Sequence, residues 1–167
     1  MIKRIVYFIS SPLYQRDYDR YGAEILKKNG FEVIFFNFTP FMFPQLYKKA
    51  TQKNRYEGDN QKIFSRKEDA ISEISCFTKD CFVISLLRYG FETVRVYKAL
   101  SKSMTPYALC LLNYVPTSIT SETKRDSFLK RIQKIKLSRL LSIIKNQLFS
   151  PAHARYLRIR APNILLT

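Results

Sequence analysis

The sequence predicts one α/β domain built around a parallel β-sheet, and three observations favour this fold. Strand and helix patterns alternate from the N-terminus to about residue 112. The first 38 residues hold a strand, a helix and a second strand, which is the βαβ unit of parallel sheets. A chain of 167 residues that is 46% hydrophobic can bury one core. We therefore expect a Rossmann-like sheet of about five strands flanked by helices.

The opening βαβ unit is predicted element by element. Residues 3–9 are β-branched and aromatic, which is typical of a buried strand. A helix over residues 17–29 follows from apolar side chains at helical spacing, two lysines in the last turn and a glycine where a left-handed cap belongs. Residues 31–38 give the second strand. The two strands should lie parallel, because a helical crossover joins them.

The later elements are predicted from the same patterns. They are a short helix within residues 41–47, an exposed loop over 54–62, helices over 68–77 and 91–103, and strands over 81–87, 107–112 and 164–167. The strand at 81–87 is almost continuously apolar, as expected of a central strand covered on both faces. We expect residues 1–167 to form a single domain. The alternative, an N-terminal half of a longer two-domain protein, is weighed equally.

Residues 121–160 carry most of the positive charge. The whole chain has a net charge of +16, and this segment contributes +9, from eleven Lys or Arg and two acidic residues. Its pattern is a basic amphipathic helix with a bend near residues 136–138. The basic face could contact an anionic membrane surface, track a nucleic-acid backbone or be simply solvated. Nucleic acid is the less favoured partner, because no aromatic RNA-stacking motif is present. The residues expected to contact a membrane surface or another anion are Lys130, Arg131, Lys134 and Lys136.

Candidate ligand-binding residues follow from the predicted topology. Ligands of open α/β sheets bind beyond the carboxyl ends of the strands. Polar and aromatic side chains gather in the loops that follow the predicted strands, although loops are often polar without binding anything. The candidates are Ser10, Ser11, Tyr14, Arg16, Arg88, Tyr89, Asn113 and Tyr114.

Several familiar chemistries lack their motifs. Residues 10–17 contain no glycine for a dinucleotide-binding turn, and Asn37 stands where an acidic residue would hold a ribose. No P-loop pattern occurs. With one histidine and three cysteines, we expect no metal site, no cofactor and reduced structural thiols. The sequence identifies no catalytic residue.

The first 38 residues resemble the opening of the N-terminal domain of GT-B glycosyltransferases. Those enzymes begin with a strand, a loop, a helix that ends in a leucine, glycine, aromatic, Glu, Val pattern, and a second strand. The matching residues are Leu26, Gly30, Phe31, Glu32 and Val33. The basic face and the ending at residues 161–167 look like bacterial members that build surface polysaccharide at the membrane. The glycine-rich first loop common in that family is replaced here by residues 10–17.

The resemblance implies an acceptor-side domain that is inactive alone, because the family holds its nucleotide-sugar donor mainly in a second Rossmann-like domain. The implied partners are a lipid-linked acceptor, an anionic membrane surface and a second α/β domain or subunit. The chain has no secretory signal and no apolar run long enough to span a bilayer. We therefore expect a cytoplasmic protein, peripheral on the inner face of the cytoplasmic membrane. The alternative function is a noncatalytic nucleotide- or nucleic-acid-binding α/β module.

Overall fold

The computed structural model describes residues 1–50, 55–110 and 159–166. Its strands are β1 (Arg4–Ile9), β2 (Glu32–Asn37), β3 (Gln61–Ile63), β4 (Cys81–Ser85), β5 (Tyr107–Cys110) and β6 (Ile164–Leu166). Its helices are α1 (Gln15–Arg20), α2 (Ala23–Lys28), α3 (Thr39–Met42), α4 (Pro44–Lys49), α5 (Lys67–Ser75) and α6 (Val94–Lys102). The strands predicted at 3–9, 31–38, 81–87, 107–112 and 164–167 are therefore all present within the described residues.

The strands form one all-parallel sheet in the order β3-β2-β1-β4-β5-β6. This order is the Rossmann arrangement, with the sheet growing outward from β1 in both directions. The predicted α/β, Rossmann-like fold is confirmed.

The strand β3 was not predicted, and the expectation of an exposed loop over residues 54–62 is wrong at its end. Gln61 pairs with Phe35, and Ile63 pairs with Asn37 at the edge of the sheet. The backbone N–H of Phe35 also donates to the Asn60 carbonyl at 2.8 Å. These backbone hydrogen bonds make residues 61–63 an edge strand, although the polar composition of the segment does not indicate a strand.

The core lies on both faces of β1. One cluster packs Val6 and Phe8 against α5 and α6, and the other packs Tyr7 against α1 and α2. Every residue from Ile5 to Ile9 is buried. The sheet is therefore covered by helices on both sides, which explains the nearly continuous apolar strands.

The helix predicted over residues 17–29 is two helices. Gly22 separates α1 from α2 and adopts a left-handed conformation with φ of 67°. A second glycine, Gly30, follows α2 with φ of 85° and provides the predicted left-handed cap. The helical spacing continues across the break because side chains on both helices pack on the same sheet face.

The short helix predicted within residues 41–47 is also divided. Phe43 has φ of −136° and ψ of 64°, outside the helical region, and the next residue is Pro44. A proline disfavours helical backbone in the residue before it but is well suited to the first position of a helix. Pro44 thus ends α3 and begins α4.

The predicted basic helix and its bend lie outside the described residues, apart from Ile159 and Arg160. Arg160 is held against the sheet: its side chain donates to the carbonyls of Met104 and Thr105, and its guanidinium lies 5.8 Å from the Tyr107 ring. One of the eleven basic residues of the segment therefore has a local structural partner.

The break between α1 and α2 predicts whether replacing Gly22 raises or lowers the stability of the protein. Gly22→Ala should lower the free energy of unfolding by about 1 kcal/mol, because alanine is strained at this positive φ. No atom lies within 4 Å of the added Cβ, so a steric clash does not contribute. If α1 and α2 formed one continuous helix, the same substitution would instead raise the free energy of unfolding by about 0.5–1 kcal/mol. Urea unfolding followed by circular dichroism distinguishes them. Gly30→Ala is the matched control, since it is destabilising in either case.

Candidate functional site

The carboxyl ends of the strands meet at one edge of the sheet. There β1 ends at Ile9, β2 at Asn37 and β4 at Ser85. Backbone bonds hold the following residues in place: the Phe38 N–H donates to the Ile9 carbonyl and the Leu86 N–H to the Phe8 carbonyl, both at 2.9 Å. The topological switch point lies between β1 and β4, where α/β sheets open a crevice for ligands.

The predicted residues after β1 lie at this edge. Ser10 is half-buried and Ser11 is exposed. Tyr14 begins α1, and its carbonyl accepts the N–H groups of Asp17 and Tyr18 at 3.0 Å. The Arg16 guanidinium is exposed and lies 3.4 Å from the Asp17 carboxylate. Their role in ligand binding stays a prediction.

The predicted residues after β4 occupy the other side of the switch point. Arg88 is exposed, and its carbonyl accepts the Thr93 hydroxyl at 2.7 Å. Tyr89 packs its ring 5.7 Å from that of Tyr97, and burial raises the pKa of the Tyr89 hydroxyl. The Tyr89 hydroxyl oxygen is buried and has no hydrogen-bond partner in residues 1–50, 55–110 and 159–166.

The two sets of predicted residues are not linked to each other. Within the described part of the chain, no hydrogen bond or ion pair joins Ser10, Ser11, Tyr14 or Arg16 to Arg88 or Tyr89. Six further predicted residues lie outside the described residues: Asn113, Tyr114, Lys130, Arg131, Lys134 and Lys136.

A cavity of about 380 Å³ opens on the other side of β1, next to β2 and β3. Its volume lies in the range of small-molecule sites, about 300–1,000 Å³. The segment 55–61 forms one side of it, because Tyr14 and Arg55 form an antiparallel bridge and the Tyr56 N–H donates to the Leu13 carbonyl at 3.0 Å. We call it the β2–β3 cavity; its lining includes Leu13, Asn37, Tyr47, Arg55, Tyr56 and Gln61.

Asn37 supplies a buried amide to this cavity. Only 1% of the residue is exposed. Its Oδ1 accepts the N–H of Thr39 at 3.0 Å and the hydroxyl of Thr39 at 2.6 Å. Among the described residues its Nδ2 is buried without a hydrogen-bond partner. The two bonds from Thr39 therefore fix the orientation of the Asn37 amide.

Arg55 links the cavity to α4. Its Nη2 donates to the carbonyls of Tyr47 at 2.9 Å and Ala50 at 2.8 Å, which satisfies acceptors at the C-terminal end of the helix. The guanidinium also lies 4.9 Å from the Tyr47 ring centre. Its Nε is buried and has no hydrogen-bond partner within the part of the chain that the structure describes. The main role of the Arg55 charge is thus to fasten α4 over the cavity.

Tyr56 forms a rigid wall. Its ring stacks on Tyr18 with centroids 4.1 Å apart, and its hydroxyl donates to the Asn60 side chain. Asn60 in turn donates to the Val33 carbonyl at 3.0 Å, so the wall is tied to β2. Burial raises the pKa of the Tyr56 hydroxyl to about 12. Tyr56 is therefore neutral at physiological pH.

Sequence reasoning missed Arg55, Tyr56 and Gln61 because they lie in the stretch interpreted as an exposed loop. Asn37 was noted only as the residue that replaces a ribose-binding acid. The contact with Tyr14 that forms one side of the cavity spans 41 positions, and local patterns do not report it.

The described part of the chain shows neither a metal-binding cluster nor a membrane-spanning helix. No group of three or more His, Cys, Asp or Glu side chains converges there as a metal site would require. None of its helices combines the length and apolar character needed to cross a bilayer. All three cysteines are free thiols.

Comparison with known proteins identifies no relative of this chain. No protein-family model, curated protein or solved structure matches the chain. The class that the fold itself defines is a Rossmann-like α/β domain with an open carboxyl edge.

Gly58 gives a test of the cavity wall. A Cβ at this position would strike the Tyr56 ring, with Cε1 only 2.6 Å away. The ring cannot yield without losing its stack on Tyr18. Gly58→Ala should therefore lower the free energy of unfolding by about 1–3 kcal/mol, measured by urea denaturation.

A double-mutant cycle controls this prediction. In a Tyr56→Ala background the obstructing ring is gone, and the same Gly58→Ala substitution should cost less than about 0.5 kcal/mol. An equal cost in both backgrounds would show that Gly58 acts on something other than Tyr56.

Proposed function

We propose that this chain is an acceptor-side, glycosyltransferase-like domain of bacterial surface polysaccharide biosynthesis that does not transfer sugar alone. In this role it holds a saccharide acceptor at the carboxyl edge of its sheet. A second α/β domain or subunit supplies the nucleotide-sugar donor, and no catalytic residue is assigned within this chain.

The observation that carries the proposal is the chemistry of the carboxyl edge. A dinucleotide or nucleotide site needs glycines after β1, so that the backbone and a helix N-terminus approach the phosphates. Here the loop runs through Ser10 and Ser11 without a glycine and leads into α1, a helix of six residues. Hydroxyl and phenol groups occupy the edge, together with the exposed guanidinium groups of Arg16 and Arg88. These side chains can hydrogen-bond a hydroxylated ligand, whereas the backbone turn that holds a pyrophosphate is absent.

The resemblance of residues 1–38 to GT-B N-terminal domains supports the same assignment. Leu26 packs in the α1–α2 cluster, Gly30 caps α2 with positive φ, and Val33 is buried in β2. The matching residues therefore have the structural roles that a strand–helix–strand opening requires. The fold is shared by many other proteins, so the saccharide-binding role is what the experiment must test.

The charge of the segment 121–160 supports a peripheral location at the membrane. An excess of nine positive charges in forty residues attracts the anionic lipids of a cytoplasmic leaflet. In this proposal Lys130, Arg131, Lys134 and Lys136 contact lipid headgroups and bring the domain to a lipid-linked acceptor.

Ligand preference tests the acceptor-side role. Saturation-transfer difference NMR of the full chain should give signals from methyl pyranosides and none from the uracil or ribose protons of UDP-glucose. The reason is that the loop after β1 offers no glycine turn to the diphosphate. Strong uracil and ribose signals would contradict the proposal. Salt-dependent retention of RNA would favour the nucleic-acid-binding alternative.

Vesicle flotation tests the membrane component. The chain should float with vesicles that contain phosphatidylglycerol and not with pure phosphatidylcholine vesicles. Binding should fall sharply at about 0.5 M NaCl, because added salt screens the attraction. The triple variant Lys130→Glu, Arg131→Glu, Lys134→Glu should also lose it.

The matched control reverses three exposed lysines elsewhere in the chain, at Lys48, Lys79 and Lys98. This control changes the net charge by the same amount and should retain most of the binding. Equal flotation with neutral and anionic vesicles, or with neither, would contradict an electrostatic anchor in residues 121–160.

A further inference from the structure

We propose that β3 forms the interface of a homodimer, in which a second copy of this chain pairs its own β3 antiparallel to the first. Ile63 lies opposite the partner's Ile63, on the two-fold axis, and the two sheets join edge to edge. The interface is independent of the saccharide role proposed above, since it needs no ligand.

The strand β3 presents unused backbone groups. Among the described strands it has a neighbour on one side only. The carbonyl of Asn60 and the N–H of Phe64 are bonded to β2, at 2.8 Å and 3.0 Å. Alternate residues of a strand direct their backbone groups to the same neighbour, so Lys62 also faces β2. The N–H and the carbonyl of Ile63 therefore point away from the sheet, where they form a template for another strand.

The lysine of β3 does not protect this edge. Lysine side chains on edge strands often prevent self-association. Lys62, however, lies on the α5 side of the sheet, where its Nζ donates to the Glu73 carboxylate at 2.8 Å and lies 5.9 Å from the Phe36 ring centre. Its charge is thus engaged within its own chain, and the edge is open to a partner strand.

Exposed apolar side chains lie beside this edge. Ile63 is 50% exposed, and Leu46 and Phe43, at the start of α4, are 49% and 45% exposed. The helix α4 lies beside β3, because Tyr47 and Ile63 line the same cleft. Three of the eight exposed large apolar side chains in the described residues therefore belong to these neighbouring elements. A two-fold axis at Ile63 brings a second set next to the first and adds apolar burial to the short backbone ladder.

The charges that flank β3 favour a second copy of this chain as the partner strand. Two exposed acidic residues, Glu57 and Asp59, precede the strand. Two basic residues, Arg66 and Lys67, follow it, and none of the four forms an ion pair with another described residue. In an antiparallel pair centred on Ile63, the position opposite Asp59 is the partner's Lys67. Each end of the pair therefore sets an acidic residue against a basic one, as a self-complementary interface requires.

Analytical ultracentrifugation of the full chain tests the dimer. Sedimentation should show a reversible monomer–dimer equilibrium that depends on protein concentration. Ile63→Pro should weaken the dimer about tenfold or more, because it removes one N–H donor from each copy at the two-fold axis. The pairing with β2 is spared, since proline is tolerated on an edge strand where the N–H faces outward.

Ile164→Pro is the matched control at the opposite edge of the sheet. Ile164 is 49% exposed and also belongs to a three-residue edge strand, β6. The N–H of Asn163 donates to the Tyr107 carbonyl at 2.8 Å, so the N–H of Ile164 faces away from β5. This variant should leave the dimer unchanged. Far-UV circular dichroism checks that both variants retain the fold.

Cysteine cross-linking tests the register. The background is Cys76→Ser, which removes an exposed thiol. Ile63→Cys should form an intersubunit disulfide on mild oxidation, because residues that exchange both hydrogen bonds in an antiparallel pair have Cα atoms about 5.5 Å apart. Gln61→Cys should not, since the two copies of that position lie about 13 Å apart along the strands, beyond the reach of a disulfide.

Each contrary outcome overturns the proposal. A monomer at all concentrations would do so, whether the thiol introduced by Ile63→Cys reacts freely with an alkylating reagent or is protected by another segment of the same chain. A dimer that Ile63→Pro leaves intact, or that Ile164→Pro weakens equally, would place the interface elsewhere. Cross-linking of Gln61→Cys without cross-linking of Ile63→Cys would contradict the register.

Discussion

The structure depends on one constraint, the burial of β1 on both faces between β2 and β4. Its residues pair in register with both neighbours, for example Tyr7 with Phe35 and with Ile84. Successive side chains point to opposite faces, so Tyr7 stacks on Phe35 at 5.0 Å on one side and Phe8 on Phe36 at 5.7 Å on the other. A slip of one residue would exchange the two cores, and this fixes the register strongly.

That register also positions the edge chemistry. Because Ile9 pairs with Asn37, the amide lies at the last rung of the β1–β2 ladder. Asn37 shares a face with Phe35, on the side covered by α1 and α2. Gln61 and Ile63 pair with Phe35 and Asn37, so β3 brings the polar lining to the same place. Strand pairing thus positions Asn37, Gln61 and Ile63, whereas the segments 12–13 and 55–58 and the helix α4 supply the rest of the lining.

The sequence predicts the parts of this fold whose local composition agrees with their structure. Five strands are apolar and β-branched enough to be recognised, and the order of elements implies parallel pairing. Gly22 was missed as a helix break because the apolar spacing continues across it. The strand β3 was missed because it has three residues and two of them, Lys62 and Ile63, are exposed. Candidate residues that directly follow a clearly predicted strand could be placed at the carboxyl edge of the sheet from the sequence. The cavity could not be predicted, because it depends on contacts between residues 13–14 and 55–56.

The two sides of β1 differ at the carboxyl edge of the sheet, where Rossmann-like proteins usually bind their ligands. Binding there usually depends on a glycine turn that brings backbone N–H groups to a phosphate. This chain has Ser10 and Ser11 in that turn and no glycine, so the usual glycine turn is absent. On the β3 side the segment 55–61 folds back onto the β1 loop and borders an open cleft lined by Tyr47 and Tyr56. The two sides of β1 thus differ in structure at the same sheet edge, because only the β3 side has a second chain segment packed on the β1 loop.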